Sequence, residues 1–495
     1  MARWLENYAK STILSSIKLW NNLDTHSLQV CIFCSVGIDA PRRFGVLGEE
    51  LPSARVISNE LHKADGQSPR NDKLTMMVMQ WGQFIDHEFV STPVMKDTMG
   101  ANIDCCDEGN ENRTECFPIR IPDDDPFYNR TCMSMVRSAP VLDHDCEPGF
   151  REQMNQVTSY IDASAIYGST EDQSISLRAF EGGLLKIYED NETNSEQLPP
   201  DTNDKYTIEA PKDRCALAGD KRVNVVPALG WSHTCFMREH NRIAQELVGI
   251  NADWDDETIF QQTRRINGQQ NYREHICVKY DIIFHYCSIF GDGVRNLLFK
   301  DKNGISLDLP SLNIQRGRDH GIPGYNHWRK HCNLGQANMS YDGSFILPDH
   351  TEEQRLKIQN IYSHVDDIDL FPGAMTESLL PDSSVGPIFA CLLGKQLKKL
   401  REGDRYWHET QDPIIKFTND QLTELRKVSF ARVLCDNFDV SQVQPDVFHV
   451  PGIGNERVDC DQIQGINLEK WVSCDFLPDG RPHFNSYCRK KRNRE

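Results

Sequence analysis

No stretch of this sequence is long and apolar enough to cross a bilayer. The most apolar short run, VCIFCSVGI at residues 30–38, falls well short of the roughly 20 residues a spanning helix needs. The first twenty residues hold no continuous apolar core, so they do not read as a secretion signal. Positive charge is also short. Lys and Arg number 54 against 73 Asp and Glu, a net charge of −19, which excludes the basic footprint of a nucleic-acid binder. The basic end CRKKRNRE (residues 488–495) reads as a solvated tail. Cys31 and Cys34 form a single CxxC with no second pair at zinc-ligand spacing, which argues against a zinc cluster. Neither RGD nor KGD occurs, so an integrin-type adhesion tripeptide is missing. Strand patterns are few and short, and there is no internal repeat or low-complexity linker.

Cysteine, by contrast, is abundant, with 17 in 495 residues, clustered in DCCDEGNENRTECF and near Cys132 and Cys146. Four Asn-X-Ser/Thr sequons begin at Asn112, Asn129, Asn191 and Asn338. Together these favour an oxidising, extracellular setting with disulfides and glycans, and the odd cysteine count leaves at least one thiol unpaired or paired between chains. Apolar periodicity predicts helices over roughly 72–90, over LGWSHTCFMREHNRIAQELVG, and over GPIFACLLGKQLKKLREGD. Thr351 with Gln354 and Thr418 with Gln421 read as capping boxes opening two more. Residues 100–150, rich in Asp, Pro, Cys and Asn, read as disulfide-held loops. The expected architecture is mainly α: an irregular segment at 1–45, one large helical domain at 46–480 and the tail at 481–495.

QWGQFIDHEF raises the question of function. Its aromatic and aliphatic residues predict a buried helix, yet Gln83, Asp86 and His87 share one face at i, i+3 and i+4. Buried polar groups are costly unless paired, so that face must look at something. A second constellation is TSYIDAS, where Thr158, Asp162 and Ser164 alternate with other residues and aim three oxygens to one side, as a hard cation such as calcium requires. A third is AGDKRVNVVP, which places Arg222 after a Gly-Asp turn. A polar network between helices and an ordinary strand with one polar face are the plain structural readings of the first two.

MQWGQFIDHEF, TSYIDASAIYGS, LAGDKRVN, REHNRIAQEL, LDLPSLNIQRGRDHGIPGYNHWR and VGPIFACLLGKQLKKLREGDRYW occur in the order found in the animal haem peroxidase superfamily. The chain resembles its secreted invertebrate members, the chorion peroxidases and peroxinectins, over most of residues 48–475. The resemblance implies a haem-dependent oxidation of phenols or small anions by hydrogen peroxide, in oxidative-stress or extracellular cross-linking roles. It implies that His87 moves the peroxide proton, that Arg222 stabilises charge as the O–O bond breaks, and that Gln83 orders water or an anion. It further implies haem b, tethered through Asp86 by at most one ester because Val225 stands where the family has a second carboxylate. A calcium ion is implied on Thr158, the Tyr160 carbonyl, Asp162, Ser164 and Glu88, the last replacing the family's usual aspartate. Asn313 would hydrogen-bond the iron's axial histidine and Arg316 would lie near a propionate. His233, His240 and His320 are expected to be structural.

One family element is absent. The helix bearing an FR-x-GH-like motif, which carries the axial histidine, has no counterpart between NYRE and LDLP. His275 and His285 are the only histidines in the segment that replaces it. The resemblance therefore leaves open an active peroxidase, a catalytically silent module for adhesion or matrix binding, and an incomplete gene model of an active peroxidase. The electron donor and the oligomeric state are not legible.

Overall fold

The computed structural model describes residues 40–64, 72–141, 151–190, 195–201, 215–278, 289–381, 383–413 and 415–472, with side chains of the helix ending at Val278 described as far as Gln269. The chain is mainly helical, as expected. Its few strands are two or three residues long and pair only as two-stranded antiparallel ribbons among the described residues. Two compact units are interleaved along the chain.

The first unit comprises Met1–Asn71, Val90–Gln156 and Tyr280–Lys398. Its helices Ala54–Leu61, Leu309–Asp319, Tyr325–His331 and Glu352–Ile361 bury Ile57, Leu61, Ile314, Tyr325, Ile358 and Tyr362 in a common core. Arg55 sits in that core, 0 % exposed, and is charge-compensated by Asp125 at 2.7 Å and Asp308 at 2.5 Å. A buried guanidinium is tolerable only when so paired. The Cys-rich loop is pinned by Cys105–Cys116 and Cys106–Cys132, and Cys332–Cys391 staples two helices of the same unit. Asn112, Asn129 and Asn338 are all exposed, as glycan acceptors must be; Asn191 lies outside the described residues.

The second unit comprises Asp72–Phe89, Val157–Lys279 and Lys399–Glu495. The long helices Pro227–Ile250 and Asp256–Val278 pack together, and Ile243, Leu247, Ile259, Ile266, Leu425 and Trp471 form their core. Pro227 opens the first of them at a position where a missing N–H costs nothing. A second, aromatic cluster surrounds Trp81. Phe84, Phe236, Phe430 and Phe448 all place their rings 5.2–6.2 Å from it. Emptying that position by Trp81→Ala would cost about 3–5 kcal/mol.

The capping predictions divide. Thr418 and Gln421 form the full reciprocal box. Thr351 accepts from the Gln354 N–H, but Gln354 Oε1 does not return the bond and stays buried without a partner among the described residues. The helix over GPIFACLLGKQLKKLREGD runs from Pro387 to Gly403, and among its residues only Ile388, Leu397 and Leu400 are buried, so it is amphipathic rather than internal.

Candidate functional site

The QWGQFIDHEF segment forms the helix Met77–Phe89 in the second unit. Thr75 starts it, accepting from the Met77 N–H at 3.3 Å and donating to the Val447 carbonyl at 2.7 Å. Val78, Trp81, Phe84 and Ile85 bury the apolar side. On the other face, His87 is 7 % exposed, and its Nδ1 is sealed from solvent with no hydrogen-bond partner among the described residues. Burial, reinforced by the positive charge of Arg222, pulls its pKa down to about 3, so the ring is neutral at ordinary pH. Asp86 is reachable by solvent, yet burial by the surrounding protein raises its pKa against the pull of Arg222. Gln83 is half-buried on the same face.

Arg222 is brought to this helix by the Gly-Asp turn. Asp220 caps the short 3-10 helix Lys221–Asn224 by accepting the Arg222 N–H at 2.7 Å. The same carboxylate accepts from Arg222 Nε at 2.9 Å and from its terminal nitrogen at 2.5 Å. That terminal nitrogen also donates to the His87 carbonyl at 3.0 Å. Burial alone would raise the Asp220 carboxyl pKa; its bonds to Arg222 reverse this and hold it below the ordinary value. The preceding Gly219 is obligatory, because a Cβ there would lie 2.5 Å from the Ser164 carbonyl oxygen and 2.7 Å from that of Ala165. His87, Arg222, Asp220 and Asp86 thus form one electrostatic group.

The oxygen-bearing loop lies against the end of the same helix. Thr158 Oγ1 is 2.8 Å from Asp162 Oδ1, 3.3 Å from Ser164 Oγ and 3.4 Å from the Tyr160 carbonyl. Ser164 donates to the Glu88 carbonyl at 3.2 Å, and Glu88 Oε1 accepts from the Ala165 N–H at 2.9 Å. Five residues expected around one cation are therefore neighbours. Among the described residues no group of three or more His, Cys, Asp or Glu side chains could hold a metal. These donors are instead mostly hydroxyl and carbonyl oxygens, the hard set that suits calcium. Ala163, between Asp162 and Ser164, takes φ +64° without being glycine, a strained turn of the kind that binding loops retain.

Asn313 and Arg316 lie in the first unit, on the helix Leu309–Asp319. With Gly317 and His320 they form an i, i+3, i+4, i+7 stripe along a cavity of about 240 Å³, walled by Ile322, Leu370, Phe371 and Phe389. The Asn313 amide makes no hydrogen bond among the described residues, while Arg316 donates to the Val136 carbonyl at 2.9 Å and to Asp319 at 3.1 Å. His320 is 2.7 Å from the Ser138 hydroxyl, and His240 Nε2 is 2.8 Å from the Gly183 carbonyl. His275 falls on the last turns of the Asp256–Val278 helix, beyond the described side chains, and His285 lies outside the described residues.

Three residues of this region escaped the sequence reading. Gln80, 4 % exposed, precedes Gln83 by one turn, and both its amide atoms are buried without a partner among the described residues. Its signal was the same helical spacing that picked out His87. Asp220 was legible only as half of a turn. Asp404 carries a pKa raised to about 6, by burial and by repulsion from Asp162. Nothing local in REGD announces that second carboxylate near the oxygen loop.

The profile of the family described as "Animal haem peroxidase" matches residues 34–278 and 286–448. Its one break, 279–285, falls inside the segment where the sequence lacks the expected motif. The mouse peroxidasin homolog is 32 % identical over 563 aligned positions, covering 91 % of this chain and 37 % of that protein. The alignment is longer than this chain, so the mouse protein carries inserted segments without counterparts here. Human eosinophil peroxidase is 30 % identical, covering 87 % of this chain and 73 % of that protein. Against most of the curated relatives the chain spans well under two thirds of their length, as for the mouse protein. Among solved structures, peroxidase A from Dictyostelium discoideum superposes with a TM-score of 0.65 at 22 % identity, covering 84 % of this chain and 95 % of that one, which is a likeness of fold.

Proposed function

Because the chain belongs to the animal haem peroxidase family, we propose that it is a haem-dependent peroxidase that uses hydrogen peroxide to oxidise phenols or small anions outside the cell. One observation carries the reading. A neutral, buried imidazole, His87, sits beside a guanidinium, Arg222, that Asp220 holds in place and that is tied to the His87 carbonyl. Such a pair accepts a proton and stabilises developing negative charge without reorganising.

The residues present in the second unit suit a haem face: an imidazole whose Nε2, unlike Nδ1, is not sealed in protein, next to a carboxyl that solvent reaches but burial desolvates. When bound, haem supplies two-electron redox chemistry at its iron. His87 takes the peroxide proton on Nε2, the ring nitrogen not sealed in protein, and returns it to the departing oxygen. Arg222 holds the negative charge that develops on that oxygen. Gln83 orders water or an anion beside them, and Asp86 offers one carboxylate for an ester tether. Thr158, the Tyr160 carbonyl, Asp162, Ser164 and Glu88 are the residues that would hold calcium, and a cation there would brace the end of the His87 helix. In the first unit, Asn313 and Arg316 are the residues that by the family resemblance would hydrogen-bond a histidine ligand of the iron and pair with a propionate.

A second reading, a peroxidase-like module without catalysis, is favoured by the break in the family match at 279–285. His87→Leu separates the two. In the haem-reconstituted chain it should leave haem uptake intact and slow the reaction with peroxide by about 10²–10⁴-fold. An unchanged rate would remove His87 from the mechanism.

A further inference from the structure

Tyr167 ends the short helix Ser164–Tyr167 and is 0 % exposed. Its hydroxyl accepts from Asn267 Nδ2 at 2.9 Å and lies 2.8 Å from His240 Nδ1. The other ring nitrogen, His240 Nε2, is 2.8 Å from the Gly183 carbonyl oxygen. A carbonyl can only accept, so Nε2 carries the ring hydrogen and Nδ1 presents a lone pair. The phenolic hydrogen is therefore donated to Nδ1, and the direction of every bond in the chain Asn267–Tyr167–His240–Gly183 is fixed. Burial pushes the phenol pKa up and draws that of His240 down to about 4, so both groups are neutral. Phe260 packs edge-on to Tyr167 and against the His240 ring, and closes the site to water.

A bracing role needs only a hydrogen bond. This arrangement supplies more, namely an oxidisable phenol bonded to an unprotonated base in a dry site. Loss of an electron from an isolated buried phenol would leave an uncompensated radical cation, which a low-dielectric interior opposes. With a lone pair 2.8 Å away, the proton can leave as the electron does. The pair also lies close to the candidate centre. Two residues before Tyr167, the Ala165 N–H is bonded to Glu88, next in sequence to His87, and the Glu88 charge acts on the Tyr167 phenol.

We propose that Tyr167 is a redox-active tyrosine with His240 as its proton acceptor. On oxidation the Tyr167 O–H bond breaks and one electron leaves to a one-electron oxidant. The proton forms a second N–H bond at His240 Nδ1, leaving a neutral phenoxyl radical hydrogen-bonded to an imidazolium. Return of one electron brings the proton back and restores the phenol. Within the peroxidase reading, on which this role in turnover rests, the oxidant is the peroxide-oxidised cofactor, and Tyr167 stores one of its two oxidising equivalents. His240 holds an extra proton poorly, which makes the store reversible.

The test uses the full chain in two arms, each read by freeze-quench electron paramagnetic resonance. In the first, the haem-free chain is photo-oxidised with ruthenium tris-bipyridine and persulfate. The expected result is a tyrosyl radical whose high-field g-tensor reports a hydrogen bond, with that component lost in Tyr167→Phe. Should that variant fail to fold, 3,5-difluorotyrosine at position 167 keeps the hydroxyl and should add fluorine splitting to the signal. No hydrogen-bonded radical, a component that survives Tyr167→Phe, or a signal without fluorine splitting would overturn the proposal. In the second arm, hydrogen peroxide is added to the haem-reconstituted chain. A radical in the light arm with none after peroxide would overturn the role of Tyr167 in turnover, whereas a Soret band indifferent to peroxide in the same sample would count against the peroxidase reading itself.

Discussion

Replacing Asp220 by Asn tests whether Arg222 is held in place by its neighbour. Asp220 is 3 % exposed and accepts three bonds from Arg222, two of them from the guanidinium. Asparagine keeps an oxygen for the backbone N–H and so preserves the cap, but removes the charge. A charge-assisted bond contributes about 1.5–3 kcal/mol, and breaking a fully buried ion pair costs about 3–5 kcal/mol. The Arg222 side chain is 22 % exposed, so water recovers part of that loss, and the expected destabilisation is about 2–3 kcal/mol. The freed guanidinium keeps its bond to the His87 carbonyl but loses its orientation. Removing a preorganised donor outright costs about 10²–10³ in rate, so disordering one should slow the reaction with peroxide by about 10–100-fold. Urea denaturation of the haem-free chain reads the first effect and stopped-flow mixing of the reconstituted chain with peroxide reads the second. A double-mutant cycle with Arg222→Ala should show strong non-additivity in both. Additive losses, or a neutral Asp220→Asn, would refute the clamp.

Three further outcomes follow from the same structure. His233, His240 and His350 each have a folded-state pKa drawn down to about 4 by burial, below the unfolded value near 6.5. Their contribution to stability is therefore complete above about pH 6.5, shrinks as the pH falls, and stops changing below about 4, at up to about 3 kcal/mol each; urea midpoints at pH 7, 5.5 and 4 should fall in that order, and a maximum at or below pH 5 would contradict it. Removing Cys332–Cys391, which spans 59 residues, should cost about 4 kcal/mol on loop-entropy grounds, against about 3 kcal/mol for Cys105–Cys116, which spans 11; equal midpoint losses would speak against that account. Asp404→Asn, which relieves repulsion with Asp162, should raise the melting temperature in chelator and shrink the stabilisation by added calcium, and an unchanged calcium response would exclude Asp404 from the cation's surroundings.

Helical spacing made the His87 face legible because it is a local property: Trp81, Phe84 and Ile85 had to turn inward, which fixed where Gln83, Asp86 and His87 would point. The helix starts at Met77 rather than 72, where Thr75 bonds the first free N–H groups. The alternation in TSYIDAS was equally local and brought its oxygens together. What the sequence concealed was contact between distant segments. Arg222 reaches the His87 carbonyl across 135 positions, and Tyr167 meets His240 across 73 and Asn267 across 100. No periodicity encodes such pairings, because they depend on how helices pack. The Gly-Asp turn shows the limit well. Its local pattern located Arg222, but why glycine is required became clear only from the carbonyls of Ser164 and Ala165 pressed against it.

The central claim is that this chain takes up haem and reacts with peroxide through the His87–Arg222 pair. The most direct measurement is the absorption spectrum of the purified full chain titrated with haem and then with hydrogen peroxide. The account predicts a Soret band that saturates at one haem per chain and shifts on adding peroxide. A chain that takes up no haem, or a bound Soret band indifferent to peroxide, would contradict it.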